Sequence, residues 1–337
     1  MKVLPAMGKK LRLAVFAAGL LVLALLINHV GLGTIAADAR RVGWWIVPVV
    51  LVYLPVYMLN ALAWRMTMGE ARRPGYFRTL ALLISGFALN YLTPVLALGG
   101  EPYRVASLAP WLGRRRAVAS VASYFLLHAL ANALTWLTAL LLAVAMTPWP
   151  DALQTAAGVL ALVLLAVMAV VFRGLRRGVF EDVLALGMRI PLVRRLLRRA
   201  QARRAALARI DAHMAAFYGA GPARFFAALG IEYVARILSM AEFWLIFVGL
   251  GLHACFAEAI LMGSMTSLVM NVVFFVPLEV GTKEGALFII ANTLGFRVGV
   301  GLITSLITRV REMAWAAVGI AIVPLVGRGR GARVRRG

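Results

Sequence analysis

Three short stretches of the 337-residue chain place ionisable side chains beside glycine and proline inside otherwise apolar sequence. "NYLTPVLALGGEPYR" carries Asn90, Pro94, Gly99, Gly100, Glu101 and Arg104. "NVVFFVPLEVGTKEGAL" carries Asn271, Pro277, Glu279, Gly281, Lys283 and Glu284, and "TSLITRVREMAW" carries Arg309, Arg311 and Glu312. On insertion scales an ionisable side chain costs about 2.5 to 3.5 kcal/mol at the centre of a membrane helix, so those that persist there are candidates for function. Proline ends a helix and glycine permits turns and close approach. A broken helix end offers bare N–H groups to an anion, and guanidinium matches phosphate through paired hydrogen bonds. The chemistry on offer is capture of a charged headgroup by Arg309, Arg104 and Lys283, with Glu101 and Glu284 holding those cations or exchanging protons. The alternative is a set of internal salt bridges that only join helices; for Lys283 it is a side chain reaching the outer interface.

Other ionisable residues rank lower. Arg309 and Glu312, three apart, share a helix face while Arg311 points elsewhere; Glu284 or Glu101 is the expected partner of Arg309. Glu232 and Arg236, four apart, read as an intrahelical pair with a packing role. Glu242 has no local partner and is a secondary candidate. His128, alone on an apolar helix, reads as hydrogen-bonded to a neighbouring backbone or hydroxyl group rather than as a proton carrier. The aspartates Asp38, Asp151, Asp182 and Asp211 fall in predicted loops, and the chain has no HExxH, GxSxG, Asp-x-Asp or P-loop pattern. No catalytic residue, metal or cofactor is assigned.

The elements that must position these residues follow from composition. The chain is 63% hydrophobic and 15% charged, too apolar for a soluble domain, and reads as an all-α integral membrane protein. Its 36 Lys and Arg against 13 Asp and Glu cluster beside apolar runs. This is the positive-inside pattern of a membrane protein with affinity for anionic lipid, and no nucleic-acid partner is expected. One cysteine, Cys255, excludes an intrachain disulfide. The first apolar run is long enough to span and is read as a retained helix rather than a signal peptide. Spans are expected near 12–29, 44–64, 117–146, 152–172, 225–250 and 298–326, and two further apolar stretches, 79–112 and 259–296, are broken midway by proline and glycine.

Charge sets the topology. Lys9, Lys10 and Arg12 precede the first span, Arg65, Arg72, Arg73 and Arg78 follow the second, and Arg114, Arg115 and Arg116 precede the third. With all three clusters cytoplasmic, 79–112 enters and leaves on one side as a re-entrant helical hairpin. The arginines from Arg173 to Arg209 and the basic tail place the loop around Cys255 outside, so 259–296 is a second hairpin entering from outside. The predicted architecture is a polytopic helical bundle of two inverted repeats, 1–146 and 147–337, with both termini cytoplasmic. Both hairpins show proline followed seven residues later by glutamate, Pro94 with Glu101 and Pro277 with Glu284. Paired, broken segments in inverted halves point to a transport site near the midplane. The stretch 173–222, with Leu192, Leu196 and Leu197 among arginines, reads as a basic amphipathic helix on the inner leaflet, a topology anchor.

The paired motifs, followed by the arginine of "LITRVREM", resemble the flippase-like membrane family that includes the transmembrane half of lysylphosphatidylglycerol synthases, and "TPVLALGGE" is most similar to its hopanoid-associated type. The likeness extends over nearly the whole chain. It implies a lipid translocator of the cytoplasmic membrane of bacteria, with two inverted halves and two re-entrant helices facing a central cavity. Position by position, the family's first motif falls on Pro94, Gly99, Gly100, Glu101 and Arg104, its second on Pro277, Gly281 and Glu284, and its late arginine on Arg309. Thr282 and Lys283 stand where small residues are common in the family. The aminoacyl-transferase domain of the synthases is absent from this sequence, so lipid lysylation is not expected.

The expected function is movement of an amphipathic lipid, anionic or of polyprenyl or hopanoid type, between leaflets, with membrane lipids as partners and a lipid-synthesis enzyme as a possible further one. The alternatives are an intramembrane transferase with Glu101 or Glu284 as base, and a non-transporting scaffold for a lipid-modifying enzyme. The oligomeric state is open.

Overall fold

A computed structural model describes residues 9–69, 73–93, 99–146, 151–177, 212, 221–273, 276 and 279–328. Pro94 and Pro277 lie outside the described residues, as does most of the basic insert at 173–222. Every regular element among the described residues is helical: α1 (Lys9–Val30), α2 (Leu32–Val42), α3 (Ile46–Leu51), α4 (Tyr53–Thr67), α5 (Tyr76–Leu92), α6 (Gly100–Leu112), α7 (Arg114–Met146), α8 (Asp151–Arg177), α9 (Pro222–Ser239), α10 (Ala241–Gly249), α11 (Phe256–Val272), α12 (Thr282–Thr293) and α13 (Val300–Arg328). The runs 32–67, 114–146 and 154–172 are apolar and long enough to cross a membrane.

Two boundaries differ from expectation. The region between the first two expected spans is not a loop: α1 breaks at Gly31, φ 85°, and α2 follows at once. A short 3-10 turn, Gly43–Trp45, then leads into α3 and α4, whose Pro48 and Pro55 sit in first turns, where a missing N–H is tolerated. The expected span 225–250 is two helices, joined at Met240.

The two broken stretches form helix–break–helix units for local reasons. Thr93, which precedes Pro94, is extended at φ −91° and ψ 101°, the conformation forced on a residue before proline, and α5 stops there. α6 starts at Gly100, with Pro102 in its first turn. In the second unit Glu279 has φ 53° and Gly281 φ 78°, two left-handed residues that reverse the chain before α12. The two ends of the first unit lie together, and a ring ahead of the second meets one just beyond it. Arg78 at the start of α5 lies 5.2 Å over the ring of Trp111 at the end of α6. Phe247, near the end of α10 and ahead of the second unit, lies 4.9 Å from Phe296, just beyond α12.

The packing crosses between the units. α6 packs on α7 and α12 on α13, whereas α5 packs on α13 and α11 on α7; α4 and α9 pair between them. One apolar core joins α10, α11, α12 and α13, a second joins α4, α5, α6 and α7, and a third joins α7, α8 and α9. Backbones approach closely, as in other membrane bundles. A Cβ at Gly100 would run into the carbonyl oxygen of Gly86 and the side chain of Asn90. Gly100→Ala is therefore expected to force α5 and α6 apart and cost about 1 to 3 kcal/mol, read as a lower thermal midpoint. Gly285→Ala, where only Val22 comes within contact distance, is the control and should gain up to about 1 kcal/mol.

Candidate functional site

Both helical units lie against α13, the first through α5 and the second through α12. At the first tip Asn90, in the last turn of α5, joins the two helices. Its Oδ1 accepts from the Gly100 N–H at 2.6 Å, capping α6, and its Nδ2 donates to Glu101 Oε1 at 3.1 Å. Arg104, one turn on, donates through Nη1 to both Glu101 oxygens at 3.2 and 3.3 Å and through Nη2 to the Leu83 carbonyl at 3.2 Å. Its guanidinium lies 5.6 Å over the Trp64 ring. Asn90, Gly100, Glu101 and Arg104 thus form one assembly, with Gly99 at the N-cap of α6, close against Thr93 and the Leu89 carbonyl.

At the second tip Glu284 occupies the third position of α12 and reaches back to accept the Gly281 N–H at 2.7 Å, where a carboxylate also complements the helix dipole. Its other oxygen accepts from Arg309 Nε at 2.6 Å and from Ser305 at 3.1 Å. Arg309 Nη2 donates further to the Glu279 carbonyl at 3.3 Å. Glu284, and not Glu101, is therefore the carboxylate of Arg309. Lys283 turns inward to Glu312 at 2.5 Å, which rules out the outer interface for its ammonium group. Asn271 sits in the last turn of α11 but does not bridge to α12 as Asn90 bridges to α6: it is exposed and donates to the Ser267 carbonyl on its own helix.

Tyr91, next to Asn90, lies within hydrogen-bonding reach of Arg309 and within electrostatic reach of Glu312. Tyr57 interacts electrostatically with Arg104 and with Arg311, Glu242 and Glu312. Side-chain exposure grades across the site: Glu101 is 31% exposed, Arg309 20% and Glu312 18%, against 8% for Lys283 and 0% for Glu284. Charges left partly exposed within hydrocarbon are costly, so these three are the ones best placed to meet a polar ligand.

Two further charged groups were not resolved by sequence spacing. Arg311 does point away from Arg309, and it meets Glu242 through Nε at 2.8 Å and Nη2 at 2.9 Å, 3.8 Å over the ring of Tyr53. Glu232 and Arg236 are not simply an intrahelical pair: His128 stands between them, its Nδ1 2.5 Å from Glu232 Oε1 and its Nε2 against Arg236. The signal available was a pair of four-residue spacings, Tyr124 with His128 and Glu232 with Arg236, in apolar helices that pack together. At one end of the bundle Arg297 grips Asp38 with both nitrogens, at 2.9 and 2.6 Å, tying the turn after α12 to α2. Among the described residues no cluster of His, Cys, Asp and Glu has the makeup of a metal site.

No curated protein and no solved structure gives a significant match to the chain. A family model does, over residues 11–319, and its description is the transmembrane region of lysylphosphatidylglycerol synthase. That match takes in both tips and Arg309, and extends from α1 to two-thirds of the way along α13. The chain is a helical membrane protein of a class involved in lipid metabolism or transport, and it belongs to the family of the lysylphosphatidylglycerol synthase transmembrane region.

Proposed function

We propose that the protein moves an amphipathic lipid between leaflets, holding the headgroup where the two tips meet α13 and leaving the tails in the bilayer. The observation that carries the reading is that both broken units lie against α13, the first by packing α5 along it and the second by pairing Glu284 and Lys283 with its Arg309 and Glu312, while Glu101, Arg309 and Glu312 stay partly exposed. The units then act as re-entrant hairpins, one from each side, in two inverted halves, 1–146 and 147–337. The crossed packing of α5 on α13 and α11 on α7 supports that division. The basic clusters set both termini in the cytoplasm, and the membrane is the bacterial cytoplasmic membrane.

An anionic headgroup suits Arg309 and Arg104, whose planar groups bind phosphate through two bonds at once. Each already holds a carboxylate, so headgroup binding proceeds by exchange: the anion takes over donors that Glu101 or Glu284 releases. The protein is then a translocator without a catalytic step.

The test is purified protein in phosphatidylcholine vesicles containing a trace of fluorescent phosphatidylglycerol. The probe should change leaflet and be recovered chemically unaltered. Glu101→Gln should slow it about tenfold, because Arg104 without its competing carboxylate holds the captured headgroup roughly 1.5 kcal/mol more tightly and releases it more slowly. A probe recovered with altered covalent structure would mark a transferase, and leaflet exchange no faster than in empty vesicles would remove the transport reading for this lipid class.

A further inference from the structure

Away from the tips, α7 and α9 gather side chains that headgroup binding does not use. Glu232 is completely buried; its Oε1 lies 2.5 Å from His128 Nδ1 and 3.5 Å from the Tyr124 hydroxyl. The other ring nitrogen of His128 meets Arg236. A guanidinium only donates, so Nε2 accepts and Nδ1 carries the hydrogen that it donates to Glu232. The imidazole is thereby neutral, with both nitrogens committed. One acceptor is left over: Glu232 Oε2 is buried and has no hydrogen-bond partner among the described residues. A carboxylate oxygen in that condition is costly. The His128 side chain is 33% exposed whereas that of Glu232 is sealed, so a proton arriving from outside the cluster meets the imidazole first.

Charge balance is the second, independent observation. Among the described residues, the charged groups at the two tips, at the Glu242–Arg311 pair and in the His128 cluster are six carboxylates, Glu101, Glu232, Glu242, Glu279, Glu284 and Glu312, and five cations, Arg104, Arg236, Lys283, Arg309 and Arg311. With His128 neutral the excess is one negative charge, and an anionic headgroup adds another. Like charges at low dielectric repel strongly, and one proton on a carboxylate offsets the added anion. The cluster is placed to respond: Arg104, which holds Glu101, interacts electrostatically with both His128 and Tyr124. Its guanidinium lies over Trp64, whose ring stacks on Tyr124 at 5.4 Å. The other charged or titratable groups acting on the cluster are Glu101 on α6 and Tyr53 on α4.

We infer that Glu232, served by His128 and held by Tyr124 and Arg236, is a proton-binding site that couples lipid movement to the proton gradient, one proton accompanying each anionic headgroup. This rests on the headgroup reading of the two tips. The proton enters at His128 Nε2 as Arg236 turns aside and the Nδ1 hydrogen passes to Glu232; when the helices rearrange to carry the headgroup across, His128 faces the opposite side and the same transfers run backwards to release the proton there.

Two measurements separate this inference from the reading it rests on. Infrared difference spectra of the purified protein in nanodiscs, taken on stepwise acidification, should contain a protonated-carboxyl band that Glu232→Gln removes and His128→Gln shifts. Absence of the band in the unaltered protein, or its persistence in Glu232→Gln, overturns the inference whether or not lipid moves. In phosphatidylcholine vesicles under a pH difference of one unit, fluorescent phosphatidylglycerol should accumulate on the alkaline side about tenfold. Glu232→Gln should still exchange the probe at equal pH, which shows that it is folded, and should produce no accumulation. A gradient response unchanged by Glu232→Gln overturns the inference; no lipid movement by the unaltered protein at any pH counts against the headgroup reading, and the infrared band then decides this one.

Discussion

Alanine at Glu242 is expected to destabilise the bundle by about 3 to 5 kcal/mol, the usual effect of stranding one member of a buried ion pair. Arg311 is 6% exposed and Glu242 1%, and their two parallel bonds join α13 to α10. Glu312, at 3.7 Å from Arg311, already holds Lys283 and offers partial compensation only. The double variant Glu242→Leu with Arg311→Met should recover most of the lost stability, since apolar residues of similar volume replace such pairs at little or no net cost. Thermal unfolding in detergent reads both results. If the double variant also moves lipid at the unaltered rate, the pair is a strut between helices. A stable double variant that moves no lipid would instead assign Arg311 to the headgroup machinery. A single alanine variant as stable as the parent would mean that the pair contributes nothing to folding.

That pair also shows where the sequence is readable. Breaks are local: a proline forces Thr93 out of helix, glycine permits the left-handed turn at Gly281, and a glutamate three residues later caps α12. Each acts within a few residues, so the two helical units and the capping role open to Glu284 could be read along the chain. Partners are not local. Glu242 meets Arg311 across 69 positions and His128 meets Glu232 across 104, and nothing in either neighbourhood names the other. Spacing showed that Arg311 leaves the face of Arg309, which is a property of one helix, but its destination depends on how α10 and α13 cross. Asn271 marks the opposite error. It occupies the place in the second unit that Asn90 holds in the first, yet it bonds its own helix, because Glu284 already caps α12 and leaves that N–H no need of an asparagine.

Lysine at Arg309 should leave the fold nearly intact and slow lipid movement about tenfold or more. The charge is kept, so Glu284 retains a cation beside it as well as Ser305 and the Gly281 N–H, and no buried carboxylate is stranded. What is lost is the fork. Arg309 reaches Glu284 through Nε and the Glu279 carbonyl through Nη2 at once, while a lysine ammonium on a shorter, rounder head holds one of these and cannot present two parallel donors to a phosphate. A loss of roughly 1.5 to 3 kcal/mol of charge-assisted bonding in the transport barrier corresponds to about 10- to 150-fold in rate. The vesicle assay reads the rate and thermal unfolding reads the fold. Glu284→Gln provides the contrast: it keeps the shape, weakens the hold on Arg309, and should alter the rate through release of the arginine rather than through loss of its geometry. Full activity in Arg309→Lys would mean that the site senses charge alone, and the two-donor recognition of the headgroup would have to be abandoned.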